Sequence, residues 1–248
     1  MSTFSAASSA PAVAPAPAPT RDSALTAAPV QFFVDFVSTY SYFASSRIES
    51  VAARHGRTVS WQVVSLPHVF RLAGTTSPLE QPLKLAHNRQ DVARLVAMTG
   101  LPFQRPEGAP EVQPARLLFH RLRRRDADLA GRFARAALAL RFGRGLELRD
   151  ESALREACAG LHVPEADIAA ACGEPDPQDK AALVAATEQA VAAGMFGAPY
   201  AVVGTQRFWG QDRVTDHLQW WLAREAAASA TPPRASDDSH LGQPQPIP

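Results

Sequence analysis

Two serines, Ser38 and Ser41, stand where a short apolar stretch gives way to a helical pattern. In open α/β sheets, ligands bind beyond the carboxyl ends of the strands, where helix N-termini supply unpaired N–H groups and a partial positive charge. A hydroxyl placed there can donate a hydrogen bond to a bound thiolate and lower the pKa of the thiol. Ser38 is equally suited to capping the helix, so these residues alone leave a catalytic and a structural role open.

A second group of candidate residues lies near the carboxyl end of the chain. Residues 197–199 read Gly-Ala-Pro directly before a strand pattern, and a proline in this place suits a cis peptide and a tight bend. The bend would leave the backbone of Ala198 free to pair with a bound peptide, and we expect Pro199 to face Ser38 across the ligand cleft. Asp212 could accept the ammonium group of a γ-glutamyl ligand, although a surface Asp–Arg pair explains the same residues.

The elements that must position these residues follow from hydrophobic patterning. Residues 31–37 and 58–66 are rich in β-branched and aromatic side chains, which predicts two buried strands, with a helix over 40–54 between them. A right-handed crossover makes these two strands parallel neighbours. Further strand and helix patterns return only near the end of the chain, at 200–203, 207–209 and 211–224.

The long stretch between these parts is rich in Ala, Leu and Arg and is interrupted by Gly and Pro. It predicts helices at 83–99, 115–125, 128–142, 152–159, 165–172 and 177–193. The predicted fold class is therefore α/β, a thioredoxin-like sheet with a large inserted all-helical domain. The thioredoxin-like domain is expected over 30–66 and 195–226, and the helical domain over 67–194.

Both ends of the chain are rich in Pro, Ala and Ser and poor in bulky apolar side chains. Residues 1–29 and 227–248 cannot bury enough surface to offset chain entropy, so we expect a disordered leader and a disordered tail. The leader is also unlike an export signal, because its first basic residue is Arg21 and prolines interrupt the sequence before it. No run of about eighteen apolar residues occurs, so no membrane span is expected.

Composition restricts the class of partner. The 248 residues carry a net charge of +1, which gives no indication of a nucleic-acid or anionic-membrane partner. The two cysteines, Cys158 and Cys172, are fourteen positions apart, outside CxxC and zinc-ligand spacing. We expect both to be packed in a helical region and to bind no metal, which favours a reducing, cytoplasmic compartment where glutathione is abundant.

Taken together, the two motifs resemble those of the 2-hydroxychromene-2-carboxylate isomerases and the related kappa-class glutathione transferases, over about residues 31–221. The family's opening motif reads Asp-Phe-x-Ser-Pro-x-Ser-Tyr-Leu-Ala and is similar to residues 35–44. Its closing motifs read Phe-Gly-Val-Pro-Thr and Phe-Trp-Gly-x-Asp-Arg and are similar to segments within 194–214.

The resemblance implies glutathione as cofactor and assigns residues to it. The serine that activates the glutathione thiol falls on Ser38, and the residue that pairs with the cysteinyl backbone falls on Ala198, next to Pro199. The family's γ-glutamyl contacts fall on Trp209, Gly210, Gln211 and Asp212.

Residues of the substrate site are less closely matched. Arg71 falls where the family keeps a basic residue facing the acidic substrate, and His87 stands where a tyrosine is usual. His87, with an ordinary pKa near 6.5, is a candidate acid or base. Both side chains are equally compatible with a solvated helix surface. Thr39 replaces the usual proline, and Tyr200 replaces a threonine, adding a phenol close to the expected thiol.

The resemblance implies a homodimeric, glutathione-dependent cis-trans isomerase that acts on 2-hydroxychromene-2-carboxylate or a similar aromatic unsaturated acid by reversible thiolate addition. A kappa-class-like transferase or peroxidase would use the same site to conjugate glutathione to an electrophile or to reduce a peroxide. A non-catalytic glutathione-binding protein would have kept the fold and lost the activity. Disulfide exchange is disfavoured, because Ser38 and Ser41 stand where exchange would need cysteines.

Overall fold

The computed structural model describes residues 28–230 of the chain. Most of the predicted leader and tail lies outside these residues. The last helix continues to Ala230, so it includes the first residues that the sequence analysis assigned to the tail. Within the described range, every helix is too short or too polar to cross a membrane.

A four-stranded mixed sheet has the strand order β2-β1-β3-β4. Strand β1 (Val30–Val34) runs parallel to β2 (Val59–Val63), as predicted, and antiparallel to β3 (Tyr200–Val203). Strand β3 continues antiparallel into β4 (Gln206–Trp209). The central position of β1 brings its carboxyl end next to the start of β3, where the second candidate motif begins.

The predicted single helix over 40–54 is wrong, because the chain forms α1 (Thr39–Ser45) and α2 (Ile48–Ala53) with a break between them. At the break, the hydroxyl of Ser45 donates to the carbonyl of Tyr42 at 2.7 Å, and that of Ser46 to the carbonyl of Phe43 at 2.8 Å. Serine hydroxyls that bond to nearby backbone carbonyls compete with regular helix geometry.

Seven helices lie between β2 and β3 in the described part of the chain, with a short 3-10 turn at Pro78–Glu80. They are α3 (Leu66–Leu72), α4 (Pro82–Thr99), α5 (Gln113–Arg123), α6 (Ala127–Gly143), α7 (Glu151–Ala157), α8 (Glu165–Cys172) and α9 (Pro177–Ala192). The six predicted helices are confirmed to within a few residues, and α3 is an addition. The predicted strand over 58–66 ends early because α3 starts at Leu66, with a proline in its first turn.

After β4, the predicted helix over 211–224 is replaced by two different helical parts. A π-helical turn spans Arg213–His217, and α10 (Leu218–Ala230) follows it.

The helices cover both faces of the sheet. Neighbouring residues of β1 point to opposite faces. The ring of Phe32 packs edge-on against Trp61, with 4.9 Å between the ring centroids, and that of Phe33 packs against Tyr200, with 6.4 Å between the centroids. Helices α5 and α6 pack on the Phe32 side, where Phe133 joins the larger core. Helices α3 and α9 contribute to a smaller core around Phe33. The helical segment thus completes the core of the sheet, and its division into a separate domain stays a prediction.

Candidate active site

Ser38 follows β1 and is the N-cap residue of α1, with only 7% of its surface exposed. Its Oγ accepts a hydrogen bond from the backbone N–H of Ser41 at 3.1 Å, so the predicted cap is confirmed. The same hydroxyl donates to the carbonyl oxygen of Ala198, also at 3.1 Å. A hydroxyl has one hydrogen and two lone pairs, so capping and donation use different parts of it.

The loop before Ser38 is held by a buried ion pair. Asp35 is fully buried, and its carboxylate accepts hydrogen bonds from Nε of Arg116 at 2.9 Å and from Nη2 of Arg116 at 2.6 Å. The backbone N–H of Leu66 donates to the same carboxylate at 2.7 Å. The carbonyl of Asp35 accepts from the N–H of Ser38 at 3.0 Å. Bidentate arginine–carboxylate pairs fix direction as well as distance, so α5 and the start of α3 position the loop that carries Ser38.

A second buried arginine supports the same loop. Arg141 of α6 donates to the carbonyl of Phe36 at 3.3 Å and to Glu147 at 2.7 Å. Burial lowers the pKa of the Arg141 guanidinium, and the nearby carboxylate of Glu147 opposes this effect. Two helices from the inserted segment therefore reach the residues between β1 and α1.

The second motif meets Ser38 at the turn before β3. The Ala198–Pro199 peptide bond is cis, as predicted. The hydroxyl of Ser38 bonds to the carbonyl of Ala198, so Ser38 lies beside this turn. That Pro199 faces Ser38 across a ligand cleft stays a prediction. The carbonyl of Pro199 accepts a hydrogen bond from the N–H of Gly210 at 3.1 Å. This backbone contact joins the proline turn to the loop after β4, so the structure brings the two halves of the second motif together.

Trp209 lies half-exposed against the proline turn. Its ring centroid is 4.6 Å from that of Phe196, and 43% of its surface is exposed. A Cβ on Gly197 would lie only 2.7 Å from the indole nitrogen of Trp209. A larger residue at position 197 would therefore displace the Trp209 ring from this place.

The side chain of Asp212 is about half exposed, and its carboxylate makes its described contacts with the neighbouring Arg213, whose Nη1 lies 3.2 Å from both carboxylate oxygens. The negative charge of Asp212 is the smallest of the influences that raise the pKa of Tyr40. Gln211 contributes a backbone carbonyl that accepts from the hydroxyl of Thr215 at 2.8 Å.

Tyr40, two residues after Ser38, was not singled out from the sequence. Its hydroxyl donates to Asp91 of α4 at 2.8 Å. Burial is the main cause that raises the pKa of Tyr40 to about 12, followed by the hydrogen bond and the charge of Asp91, whereas a hydrogen bond from Asn88 acts in the opposite direction. At neutral pH this phenol is protonated and is a hydrogen-bond donor.

The structure does not connect the two predicted substrate residues with Ser38. Arg71 of α3 and His87 of α4 are exposed, and neither side chain has a hydrogen bond or ion pair with another residue of the described range. Tyr200 is 2% exposed, and its hydroxyl lies beside Gly194 and Arg207, so this phenol is packed inside the protein. Within residues 28–230, no group of three or more His, Cys, Asp or Glu side chains is arranged to hold a metal ion.

Sequence reasoning missed the contacts that join distant parts of the chain. Asp35 and Arg116 are 81 positions apart, and Tyr40 and Asp91 are 51 positions apart. One partial signal existed, since Asp35 opens the first motif. Its partner could not be identified without the packing of α5.

Comparisons with known proteins agree with this geometry. The family model of the DsbA-like thioredoxin domain matches residues 29–219. A 2-hydroxychromene-2-carboxylate isomerase from Sphingobium xenophagum is 30% identical over 197 residues, which cover 78% of this chain and 97% of that protein. One from Pseudomonas putida is 30% identical over 79 residues, or 31% of this chain and 39% of that protein.

Among solved structures, one of a 2-hydroxychromene-2-carboxylate isomerase has a TM-score of 0.69 and 21% identity, and the match covers 82% of this chain and 99% of that one. The predicted thioredoxin-like fold with inserted helices is confirmed. The chain therefore belongs to the family of DsbA-like thioredoxin domains and, within it, to the group that contains the 2-hydroxychromene-2-carboxylate isomerases.

Proposed function

We propose that this protein is a glutathione-dependent isomerase of 2-hydroxychromene-2-carboxylate or a similar aromatic unsaturated acid. The observation that carries the proposal is the contact between the Ser38 hydroxyl and the Ala198 carbonyl at 3.1 Å, which joins a thiol-activating group to a peptide-binding turn. Bound glutathione would supply a thiolate whose reversible addition turns the conjugated double bond into a single bond, which rotates before the thiolate leaves. No electrons are gained or lost overall, and no further reactant is consumed.

The residues present fit glutathione. The ligand has a thiol, a peptide backbone and a γ-glutamyl ammonium, and the site offers Ser38, the backbone of Ala198 and the carboxylate of Asp212 respectively. Ser41 adds a fully buried hydroxyl that has no hydrogen-bond partner within the described range. Unused hydrogen-bonding capacity beside Ser38 is expected where a polar ligand completes the site.

Ser38 is the group that would act on the sulfur. Rotation about its Cβ–Oγ bond redirects the hydrogen from Ala198 towards a ligand, while a lone pair keeps the N–H of Ser41. A hydrogen bond to the charged form of a thiol lowers its pKa, so a larger fraction is thiolate at neutral pH.

Asp212 would bind the ammonium group and would then exchange its present partner, Arg213, for the ligand. Because both side chains are about half exposed, this exchange requires little desolvation. The proline turn offers the backbone of Ala198 for pairing with the ligand, as in other complexes in which a peptide adds to a strand edge.

Disulfide exchange is a poorer explanation. The first turn of α1 carries Ser38 and Ser41, so it has no sulfur to exchange. The cysteines lie at the ends of α7 and α8, where burial raises the pKa of Cys158 to about 12 and also raises that of Cys172. The curated relative that covers most of the chain is named an isomerase, which favours isomerisation over conjugation. We also propose that the protein is a homodimer and that it is located in the cytoplasm.

The deciding experiment incubates the purified protein with 2-hydroxychromene-2-carboxylate, with and without glutathione, and follows ultraviolet absorbance and free thiol together. An isomerase converts the substrate only with glutathione present and leaves the thiol concentration constant. A fall in thiol that matches product formation would show conjugation instead. Binding of glutathione without turnover and without a lowered thiol pKa would show a non-catalytic binding protein.

A further inference from the structure

The two edge strands of the sheet are protected to different degrees. Strand β2 forms one edge, where α5, α6 and α9 pack against it and the carbonyl of Val63 is bonded to the His120 ring. Strand β4 forms the other edge and pairs with β3 alone. Edge strands are often blocked by a proline, a lysine or a bulge, and β4 has none of these. Its one charged side chain is turned back, since Arg207 Nε donates to the carbonyl of Ala193 at 2.7 Å.

The register of the hairpin decides which backbone groups of β4 point outwards. A two-residue turn joins Val203 to its partner Gln206, and such a turn closes on a hydrogen-bonded pair. Hydrogen-bonded and non-hydrogen-bonded pairs then alternate along the two strands. The bond from the N–H of Gly210 to the carbonyl of Pro199 fits this alternation. Every second residue of β4 from Gln206 onwards is therefore bonded to β3, and the residues between them direct their N–H and C=O groups to the outer edge.

The residues that point outwards are Arg207 and Trp209. Within residues 28–230, the backbone N–H and C=O groups of these two residues have no hydrogen-bond partner. Arg207 is exposed, and the half-exposed rings of Trp209 and Phe196 lie beside it, with 4.6 Å between their centroids. The outer edge of β4 thus offers unused backbone groups and apolar surface to a further strand.

A second copy of β4 is complementary to this edge. A two-fold axis at Phe208 makes two β4 strands antiparallel and places Arg207 opposite Trp209 of the partner subunit. All the outward-pointing groups are then hydrogen bonded across the axis. The guanidinium of each Arg207 lies beside an indole ring, which is a favourable cation–π pair. A register centred on Arg207 would instead place two like charges opposite each other and is disfavoured.

We propose that the outer edge of β4 is the interface of the homodimer, in which two antiparallel β4 strands join the two sheets into one. The inference rests on the homodimer included in the proposed function, and it does not depend on the proposed reaction. Pairing places Arg207 of the partner subunit beside Trp209, the first residue of the segment 209–212 that we expect to bind the γ-glutamyl group. Each subunit would therefore border the glutathione site of the other.

The test compares Arg207→Pro with Arg207→Ala, after circular dichroism has shown that both variants fold. Because the N–H of Arg207 points away from β3, proline leaves the hairpin bonds intact and removes one donor per subunit from the interface. Analytical ultracentrifugation measures the dissociation constant of the dimer. Arg207→Ala keeps the N–H and should raise this constant by about two- to fivefold, through loss of the cation–π pair. Arg207→Pro should raise it by about a further ten- to a hundredfold.

A second measurement uses the wild-type protein and does not depend on the folding of a variant. Amide hydrogen exchange is compared between the dimer and the monomer obtained by dilution. The N–H groups of Arg207 and Trp209 should exchange at least about tenfold faster in the monomer. The N–H groups of Gln206 and Phe208, which point towards β3, are internal controls and should keep their exchange rates.

Three results would overturn the interface. They are a wild-type protein that is monomeric at every concentration, a dimer that Arg207→Pro weakens no more than Arg207→Ala does, and equal exchange at Arg207 and Trp209 in monomer and dimer. Slow exchange at this edge in a monomer would show that another part of the chain covers it.

The interface and the proposed reaction fail separately. Isomerase activity in a monomeric wild-type protein would remove the interface and leave the reaction. A dimer that dissociates in Arg207→Pro, from a wild-type protein without isomerase activity, would leave the interface and remove the reaction.

Discussion

The loop that carries Ser38 and the loop that carries Asp212 are both hydrogen bonded to the turn at Ala198 and Pro199, yet they are held in different ways. Asp35 is fully buried and Ser38 is 7% exposed, and arginines from α5 and α6 bond to the carboxylate of Asp35 and to the carbonyl of Phe36. The side chain of Asp212 is 48% exposed, and its described partner is the next residue along the chain. A backbone hydrogen bond from Gly210 to Pro199 joins this second loop to the proline turn that Ser38 contacts.

The difference matches the tasks proposed for the two loops. A hydroxyl that stabilises a thiolate has to be held at a fixed position, because hydrogen bonds weaken steeply with distance and angle. A carboxylate that captures a flexible ligand has to exchange one partner for another. We therefore expect changes near Ser38 to affect stability and turnover, and changes near Asp212 to affect binding alone.

The largest effect is expected from breaking the buried pair. Arg116→Ala leaves the carboxylate of Asp35 buried with the Leu66 N–H as its described remaining donor, and removal of one partner of a buried ion pair costs about 3–5 kcal/mol. Urea denaturation measures the free energy of unfolding. The control is Arg155→Ala, which removes an arginine from exposed pairs with Glu151 and Glu165 and should change it very little. Equal losses in the two variants would mean that Arg116 has no special part in holding the Ser38 loop.

Ser38→Ala should lower turnover near neutral pH by roughly ten- to a hundredfold, because a hydrogen bond to a charged group contributes about 1.5–3 kcal/mol. The pKa of the bound thiol should rise by roughly one to two, so part of the activity returns at higher pH. Loss of the cap should also lower the free energy of unfolding by about 1 kcal/mol. Ser38→Thr, which keeps a hydroxyl, is the control.

The absorbance of the bound thiolate is followed as a function of pH in wild type and in Ser38→Ala. It measures the change in thiol pKa separately from the loss of stability caused by removal of the cap. Coincident titration curves would leave Ser38 with the cap alone and would remove the proposed mechanism.

Acid should weaken the packing of α5 against β2 through His120, which lies one turn after Arg116 on α5. Its Nε2 is 2.9 Å from the carbonyl of Val63, and burial lowers the pKa of this histidine to about 4. In the unfolded chain the imidazole takes up a proton below about pH 6.5, whereas in the folded protein it stays neutral. The contribution is therefore fully present above that pH and is lost as the pH falls towards 4.

Between pH 7 and pH 5, His120 should lower the free energy of unfolding by about 2 kcal/mol. Denaturation of wild type and of His120→Gln at both pH values gives the change in free energy of unfolding per pH unit, called here the pH slope. The difference between the two pH slopes measures the contribution of His120. His87→Gln, which changes an exposed histidine of α4, should keep the wild-type slope. A slope that is unchanged in His120→Gln would contradict the prediction.

The smallest effect is expected from Asp212→Asn. Because the carboxylate is exposed, its loss should weaken glutathione binding by only about three- to tenfold, with little change in thermal stability. Asp216→Asn removes another exposed aspartate, one that pairs with Arg47, and should leave binding unchanged. Calorimetry with glutathione compares the two variants. A large loss of stability in Asp212→Asn would show that this loop is structural and would remove the contrast between the two halves of the site.

The sequence by itself determined most of the local structure. Strand β3 was predicted at its observed limits, the inserted helices at nearly theirs, and the cap at Ser38 and the cis bond before Pro199 were predicted from short motifs. These features depend on residues close together in the chain, through hydrophobic period, turn chemistry and capping, and such patterns are visible in a single sequence.

Only the tertiary structure decided which side chains support and line the site. At the start of α3, the backbone N–H of Leu66 donates to the buried carboxylate of Asp35, a residue far away in the chain. Arg116 reaches Asp35 because α5 packs against β2, the neighbour of β1, and Tyr40 reaches Asp91 because α1 packs against α4. The sequence contains many arginines on helical surfaces, and their partners are set by packing between elements far apart in the chain. For this reason Arg116 could not be identified from its local sequence as the partner of Asp35.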